Sequence, residues 1–122
     1  MFALIVDDSK ATRLILGHIL LEIGFEVAQA SGGREGMDQL LRYKPRLALV
    51  DWNMPDMNGL EFVQAVRADK SYAAVRLLMV TSEDDQAERT RALEAGADEY
   101  LTKPFSKALL LKKLELLGIT PR

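Results

Sequence analysis

Three short runs in this chain are apolar almost without interruption: Phe2-Ala3-Leu4-Ile5-Val6, Leu47-Ala48-Leu49-Val50, and Val75 to Val80, broken only by Arg76. A strand apolar at every position has both faces covered, which is the situation of an inner strand in a parallel sheet sandwiched between helices. The intervening stretches carry helix punctuation. Ser9 can cap a helix on which Ala11, Ile15, Ile19 and Ile23 recur before Gly24 stops it. Glu26-Val27-Ala28-Gln29-Ala30 alternates polar and apolar like a half-exposed strand, and a helix from about Gly33 to Tyr43 is closed by Pro45. A loop from Trp52 to Asn58 leads through Gly59 into a helix ending near Asp69. A weaker helix spans about Asp85 to Ala95 with Gly96 as its stop, Tyr100-Leu101 belongs to a fifth strand, and Ser106 caps a last helix reaching about Leu117. Strands alternating with helices predict an α/β domain with a five-stranded parallel sheet and five helices. Runs 1, 3 and 4 read as central and runs 2 and 5 as edges, so the expected order is 2-1-3-4-5, the doubly wound flavodoxin-like arrangement.

The 122 residues are expected to form one domain, 1–122, with no separate output domain. Apolar residues make up 48% and charged residues 28%, a profile of a folded chain rather than a disordered one. A net charge of −2 gives no reason to expect a nucleic-acid partner. The absence of cysteine excludes disulfides, thiolate chemistry and cysteine-zinc sites. No secretory leader is recognisable, and no apolar run approaches the ~18 residues of a membrane span, so a cytoplasmic protein without membrane insertion is expected.

In folds of this type ligands bind outside the carboxyl ends of the strands. Strand 1 delivers Asp7 and Asp8 to that edge, strand 3 Asp51, strand 4 Thr81, and strand 5 runs out to Lys103. Singly, each would be an ordinary turn or cap residue; their joint placement is another matter. Three neighbouring carboxylates repel, and one lysine does not offset them. A hard divalent cation does, and an all-oxygen donor set suits Mg²⁺, or Mn²⁺ in its place. Flavin mononucleotide binding fits poorly, because Asp7-Asp8 would repel a phosphate arriving without a metal. An aspartyl-phosphate phosphatase is a remote alternative: such enzymes place an Asp-x-Asp nucleophile after strand 1 and usually carry a substrate cap, and here the aspartates are adjacent.

Asp7-Asp8, Asp51-Trp52-Asn53-Met54-Pro55 with Gly59, Thr81, and Lys103-Pro104-Phe105 together resemble the receiver domain of two-component response regulators over essentially the whole chain. The Asp-Trp-Asn-Met-Pro run and Tyr100 are most similar to the CheY-like chemotaxis type. The resemblance implies a stand-alone switch, not an enzyme with outside substrates. Asp51 would be the phosphoacceptor, served by a CheA-like histidine kinase or a phosphotransfer protein. Asp8 and Asp51 would ligate the metal directly, Asp7 through water, and Asn53 through its backbone carbonyl. Lys103 would pair with Asp51 and then with a phosphoryl oxygen, and Thr81 would bond another. Tyr100 would read out the state on the face of helix 4, strand 5 and helix 5 to an output target. Asn53 and Glu83 would tune hydrolysis, and the Lys103–Pro104 bond is a candidate cis peptide. A monomer is expected.

Two positions depart from that pattern. Ser82 stands where a small residue such as alanine is common, and Arg89 stands about where chemotaxis members offer an apolar contact to the flagellar switch. A motility role is therefore expected with a phosphorelay intermediate as the alternative. The single histidine, His18, reads as a packing or surface residue rather than a phosphodonor, and Trp52 as an optical reporter of the site.

Overall fold

The computed structural model describes residues 1–81 and 86–119. Five strands, β1 (Phe2–Val6), β2 (Glu26–Ala30), β3 (Leu47–Asp51), β4 (Arg76–Thr81) and β5 (Glu99–Thr102), alternate with helices α1 (Lys10–Glu22), α2 (Gly33–Tyr43), α3 (Gly59–Ala68), α4 (Gln86–Ala95) and α5 (Lys107–Leu116). All strand pairs are parallel and the order is β2-β1-β3-β4-β5, as expected. The buried pattern follows the pleat, with successive side chains leaving opposite faces. Ala3, Ile5, Leu47, Leu49, Leu78, Val80 and Leu101 meet Leu16 and Leu20 of α1 and Leu110 and Leu114 of α5. Leu4, Val6, Ala48, Val50, Leu77 and Met79 meet Leu40 of α2, Phe62, Val63 and Val66 of α3, and Ala92 of α4. Burying both faces is what demanded the unbroken apolar runs.

Three details differ from the expectations. The buried face of α1 is Leu16, Gly17 and Leu20, followed by Ile23, whereas Ile15 is 57% exposed and Ala11 is exposed. A strict four-residue step advances about 40° past a full turn each time, so the line from Ala11 to Ile23 slides off the sheet-facing side. The helix after Gly59 ends at Ala68, and a 3-10 turn, Lys70–Tyr72, precedes β4, which starts one residue late at Arg76. The expected start of α4 at Asp85 lies outside the described residues.

The third difference concerns the end of α2. Lys44, not Pro45, closes the helix, in a left-handed conformation (φ 48°, ψ 58°) with its N–H on the Leu40 carbonyl. That conformation is natural for glycine and strained for lysine, and a following proline restricts the residue further. Lys44→Gly is expected to stabilise the fold by about 1 kcal/mol, read as a higher urea midpoint with an unchanged slope.

At the same end of the sheet Arg67 acts as a clamp. Its Nε donates to the Gly96 carbonyl (2.9 Å), Nη1 to Tyr72 O (3.0 Å), and Nη2 to Val75 O (2.7 Å) and the Asp98 carboxylate (2.8 Å). The same Asp98 oxygen accepts the Leu77 N–H at 2.8 Å. One side chain thus binds three carbonyls in two connections, the one into β4 and the one into β5.

Candidate functional site

The carboxyl edge of the sheet gathers the residues expected there. Asp7 follows β1 and is 1% exposed, Asp8 beside it is exposed, Asp51 ends β3 at 8%, and Thr81 ends β4 at 7%. One carboxylate oxygen from each of Asp7, Asp8 and Asp51 lies within 4.8 Å of the others. Lys103, one residue past β5, places Nζ 3.6 Å from Asp7 Oδ2 and 3.7 Å from Asp51 Oδ1. Its N–H donates to the Thr81 carbonyl at 2.7 Å, and its bond to Pro104 is cis.

Local bonding holds these groups in place. The Asp7 N–H extends the β1–β2 ladder to the Ala30 carbonyl (3.0 Å), Asp7 Oδ1 accepts from the Ser9 N–H (2.9 Å), and its carbonyl accepts from Arg13 Nη1 (2.7 Å). Ser9 caps α1 through its hydroxyl, which accepts from the Thr12 N–H at 3.2 Å. Behind Asp51, the Gly59 N–H donates to the Trp52 carbonyl at 2.8 Å. A Cβ on Gly59 would stand 2.8 Å from the Asp51 carbonyl oxygen and 2.6 Å from Met79 Cε, so only glycine lets α3 start this close to the acceptor. Asn58 and Glu61 form a reciprocal capping box there.

Sequence reasoning missed Asp56. Its carboxylate accepts the N–H groups of Gly33 and Arg34, both at 3.0 Å, tying the loop after Asp51 to the start of α2. Those bonds hold its carboxyl below the usual range. Gly32 and Gly33 permit the approach: a Cβ on either would fall 2.7 Å from Asp56 Oδ1 or Met57 Sδ respectively. The Gly-Gly pair at a helix start was the available signal. Arg13 was missed as well, since a helical arginine carries no mark of the carbonyl it serves.

Burial pushes the Asp51 carboxyl up to about 6; Asp7 raises it further, Lys103 opposes, Asp8 raises it, and the Trp52 N–H lowers it. Asp7 Oδ2 is buried without a hydrogen-bond donor, its nearest cation being Lys103. Three carboxylates against one ammonium, with an acceptor left open at their centre, is a donor set that a small hard cation fits.

Behind Thr81 a small cavity is bounded by Trp52, Met79, Arg89, Ala92 and Tyr100. Tyr100 is half-buried, with the Arg89 guanidinium and Lys113 Nζ each 4.5 Å from its ring centre. Lys113 also pairs with Glu99 at 3.3 Å. Asn53 is exposed two residues past Asp51. Glu83 and Ser82 lie outside the described residues. The His18 side chain is 79% exposed, 3.7 Å from Glu22, far from a buried donor role. No helix among the described residues is long and apolar enough to cross a membrane.

The sequence model of the response regulator receiver domain matches residues 3–115. A chemotaxis protein CheY homolog of Campylobacter jejuni is 43% identical over 117 residues, covering 94% of this chain and 90% of that protein. Chemotaxis protein CheY1 of Helicobacter pylori is 40% identical over 118 residues, 95% of each chain. Among solved structures, chemotaxis protein CheY4 of Vibrio cholerae superposes with a TM-score of 0.88 at 37% identity, over 93% of this chain and 95% of that one.

Proposed function

Because this chain belongs to the response regulator receiver domain family and is CheY-like, we propose that Asp51 accepts a phosphoryl group from a phosphohistidine on a partner kinase. The carrying observation is the Asp51 carboxylate itself, at a strand end between two further aspartates and Lys103. An Asp51 oxygen attacks phosphorus, the P–N bond breaks, and its electron pair leaves on the imidazole nitrogen, which is then protonated. Little covalent work falls to the protein; alignment and charge neutralisation carry the reaction. Lys103 Nζ, already near Asp51, moves its charge to one phosphoryl oxygen, and the Thr81 hydroxyl donates to another. Asp8 and Asp51 directly, Asp7 through water and the Asn53 carbonyl would hold Mg²⁺ or Mn²⁺, which supplies the remaining positive charge beside the phosphoryl oxygens.

Phosphorylation adds roughly −1.5 to −2 charges at one point. Thr81, drawn toward them, vacates space beside the cavity that Tyr100 borders. The face of α4, β5 and α5 then changes for an output target, and Asn53 and Glu83 would tune the hydrolysis that resets the switch. Chemotaxis or motility signalling is the setting that the similar proteins favour.

Acetyl phosphate with Mg²⁺ is expected to add one acid-stable, base-labile phosphoryl group, and no labelling with or without the cation would overturn the reading. Trp52 fluorescence is expected to change on titration with Mg²⁺, and Asp8→Ala to weaken the apparent affinity by about tenfold or more. An unaltered titration in that variant would remove Asp8 from the site.

A further inference from the structure

At the end of the sheet remote from Asp51, a groove of about 410 Å³ runs between the close of α2 and the approach to β4. Leu41, Pro45, Tyr72 and Val75 line it with apolar surface, and Lys44 and Arg46 supply its charge. No carboxylate lines it, and neither Lys44 nor Arg46 has an acidic partner within ion-pair distance among the described residues. Arg42 and Lys70, both exposed, flank it in sequence. The nearby carboxylate, Asp69, is turned to the Ser71 N–H (3.0 Å) and hydroxyl (2.7 Å). Leu41 is 69% exposed at the rim, a large apolar side chain without cover. In a chain of net charge −2, this is a local reversal of sign.

We infer that this groove docks an acidic, leucine-bearing linear segment of a partner protein, whether or not Asp51 is phosphorylated. Charge complementarity selects the acidic segment: two cations stand at the mouth over an apolar floor. Concavity on this scale takes a few side chains, where a flat lipid surface would meet a projecting face. The strain at Lys44 bears on the same point. A left-handed position before proline is held by lysine, itself a lining residue of the groove, where glycine would sit without strain. The floor is preformed, because Arg67 fixes the Tyr72 and Val75 carbonyls from beneath. Those bonds lie at the opposite strand ends from Asp51 and Thr81, so the phosphoryl group has no direct contact through which to alter the groove.

The test uses the full chain and a fluorescein-labelled synthetic peptide alternating Glu with Leu, followed by anisotropy and by backbone amide shifts. Saturable binding is expected, with shifts confined to residues 41–46 and 71–75 and no change after acetyl phosphate and Mg²⁺. A charge-reversed peptide alternating Lys with Leu is expected not to bind. The double variant K44E/R46E is expected to weaken binding about tenfold, and Leu41→Ser or Lys44→Gly, which leave the fold intact, about threefold. Absence of saturable binding, retention of affinity in K44E/R46E, shifts elsewhere, or binding only after phosphorylation would overturn the proposal. So would binding to phosphatidylglycerol vesicles in place of the peptide. Loss of acetyl phosphate labelling would leave this result untouched, so the two readings fail separately.

Discussion

Asp51→Asn is expected to lose acid-stable, base-labile labelling by acetyl phosphate, with the rate falling about a thousandfold or more. The substitution keeps the shape and the acceptor for the Trp52 N–H but removes the nucleophilic oxygen. It leaves Asp7 as the sole described carboxylate paired with Lys103, at 3.6 Å. Full stoichiometric labelling in the variant, located by mass spectrometry of the base-labile adduct, would move the nucleophile elsewhere. Lys103→Arg separates chemistry from signalling: labelling persists at a reduced rate, because a cation remains, while switching is lost because a guanidinium does not reproduce the ammonium geometry.

The second large effect is on stability. In a cation-free buffer, the Asp51 carboxyl titrates near 3.8 when unfolded and at about 6 when folded. Between those values the Asp51 carboxyl binds more proton in the folded chain than in the unfolded one, so its contribution to stability is fully present below about pH 4 and is lost as pH rises through about 6. A shift of this size corresponds to at most about 3 kcal/mol at pH 7.5, which solvent reaching the incompletely desolvated carboxylate reduces to about 2 kcal/mol. Asp51→Asn has no such loss and is expected to be about 2 kcal/mol more stable than the parent in EDTA at pH 7.5, converging with it near pH 4. Urea unfolding at the two pH values reads the difference directly. Mg²⁺ should stabilise the parent at pH 7.5 and the variant much less, since a ligand of the folded state adds stability by mass action. A parent whose stability is flat from pH 4 to pH 7.5 in EDTA would refute the assigned burial of charge.

How much of this was legible in the residues depends on the range of the interactions. Strands β1, β3 and β4 announced themselves because covering both faces leaves no room for polar side chains, and the order of the sheet followed from which runs were unbroken. The acidic site was legible for a related reason: Asp7, Asp51, Thr81 and Lys103 sit where an apolar run stops, and parallel strands bring all such stops to one edge. What stayed hidden depends on contacts between distant segments. Arg67 reads as one more charged residue on a helix, although its guanidinium serves carbonyls up to 29 residues away. Asp56 looks like a turn former, yet its partners are at Gly33 and Arg34. The burial of Leu16 and Leu20 rather than Ile15 reflects a few tens of degrees of helix rotation, which four-residue spacing cannot resolve.

The Arg67 clamp gives the sheet two ends of unlike stiffness. Around Tyr72, Val75, Leu77 and Asp98 one guanidinium and one carboxylate bind the connections into β4 and β5. At the other end, the exits of the same two strands are joined by the bond from the Lys103 N–H to the Thr81 carbonyl, together with their pairing. A body anchored in this way behaves as a cantilever. Force applied at Thr81 bends the tip rather than sliding the strand, and deflection dies away toward the anchor. On the two readings proposed above, the ends of one small domain would be separate terminals, one for a changing message and the other for a fixed address.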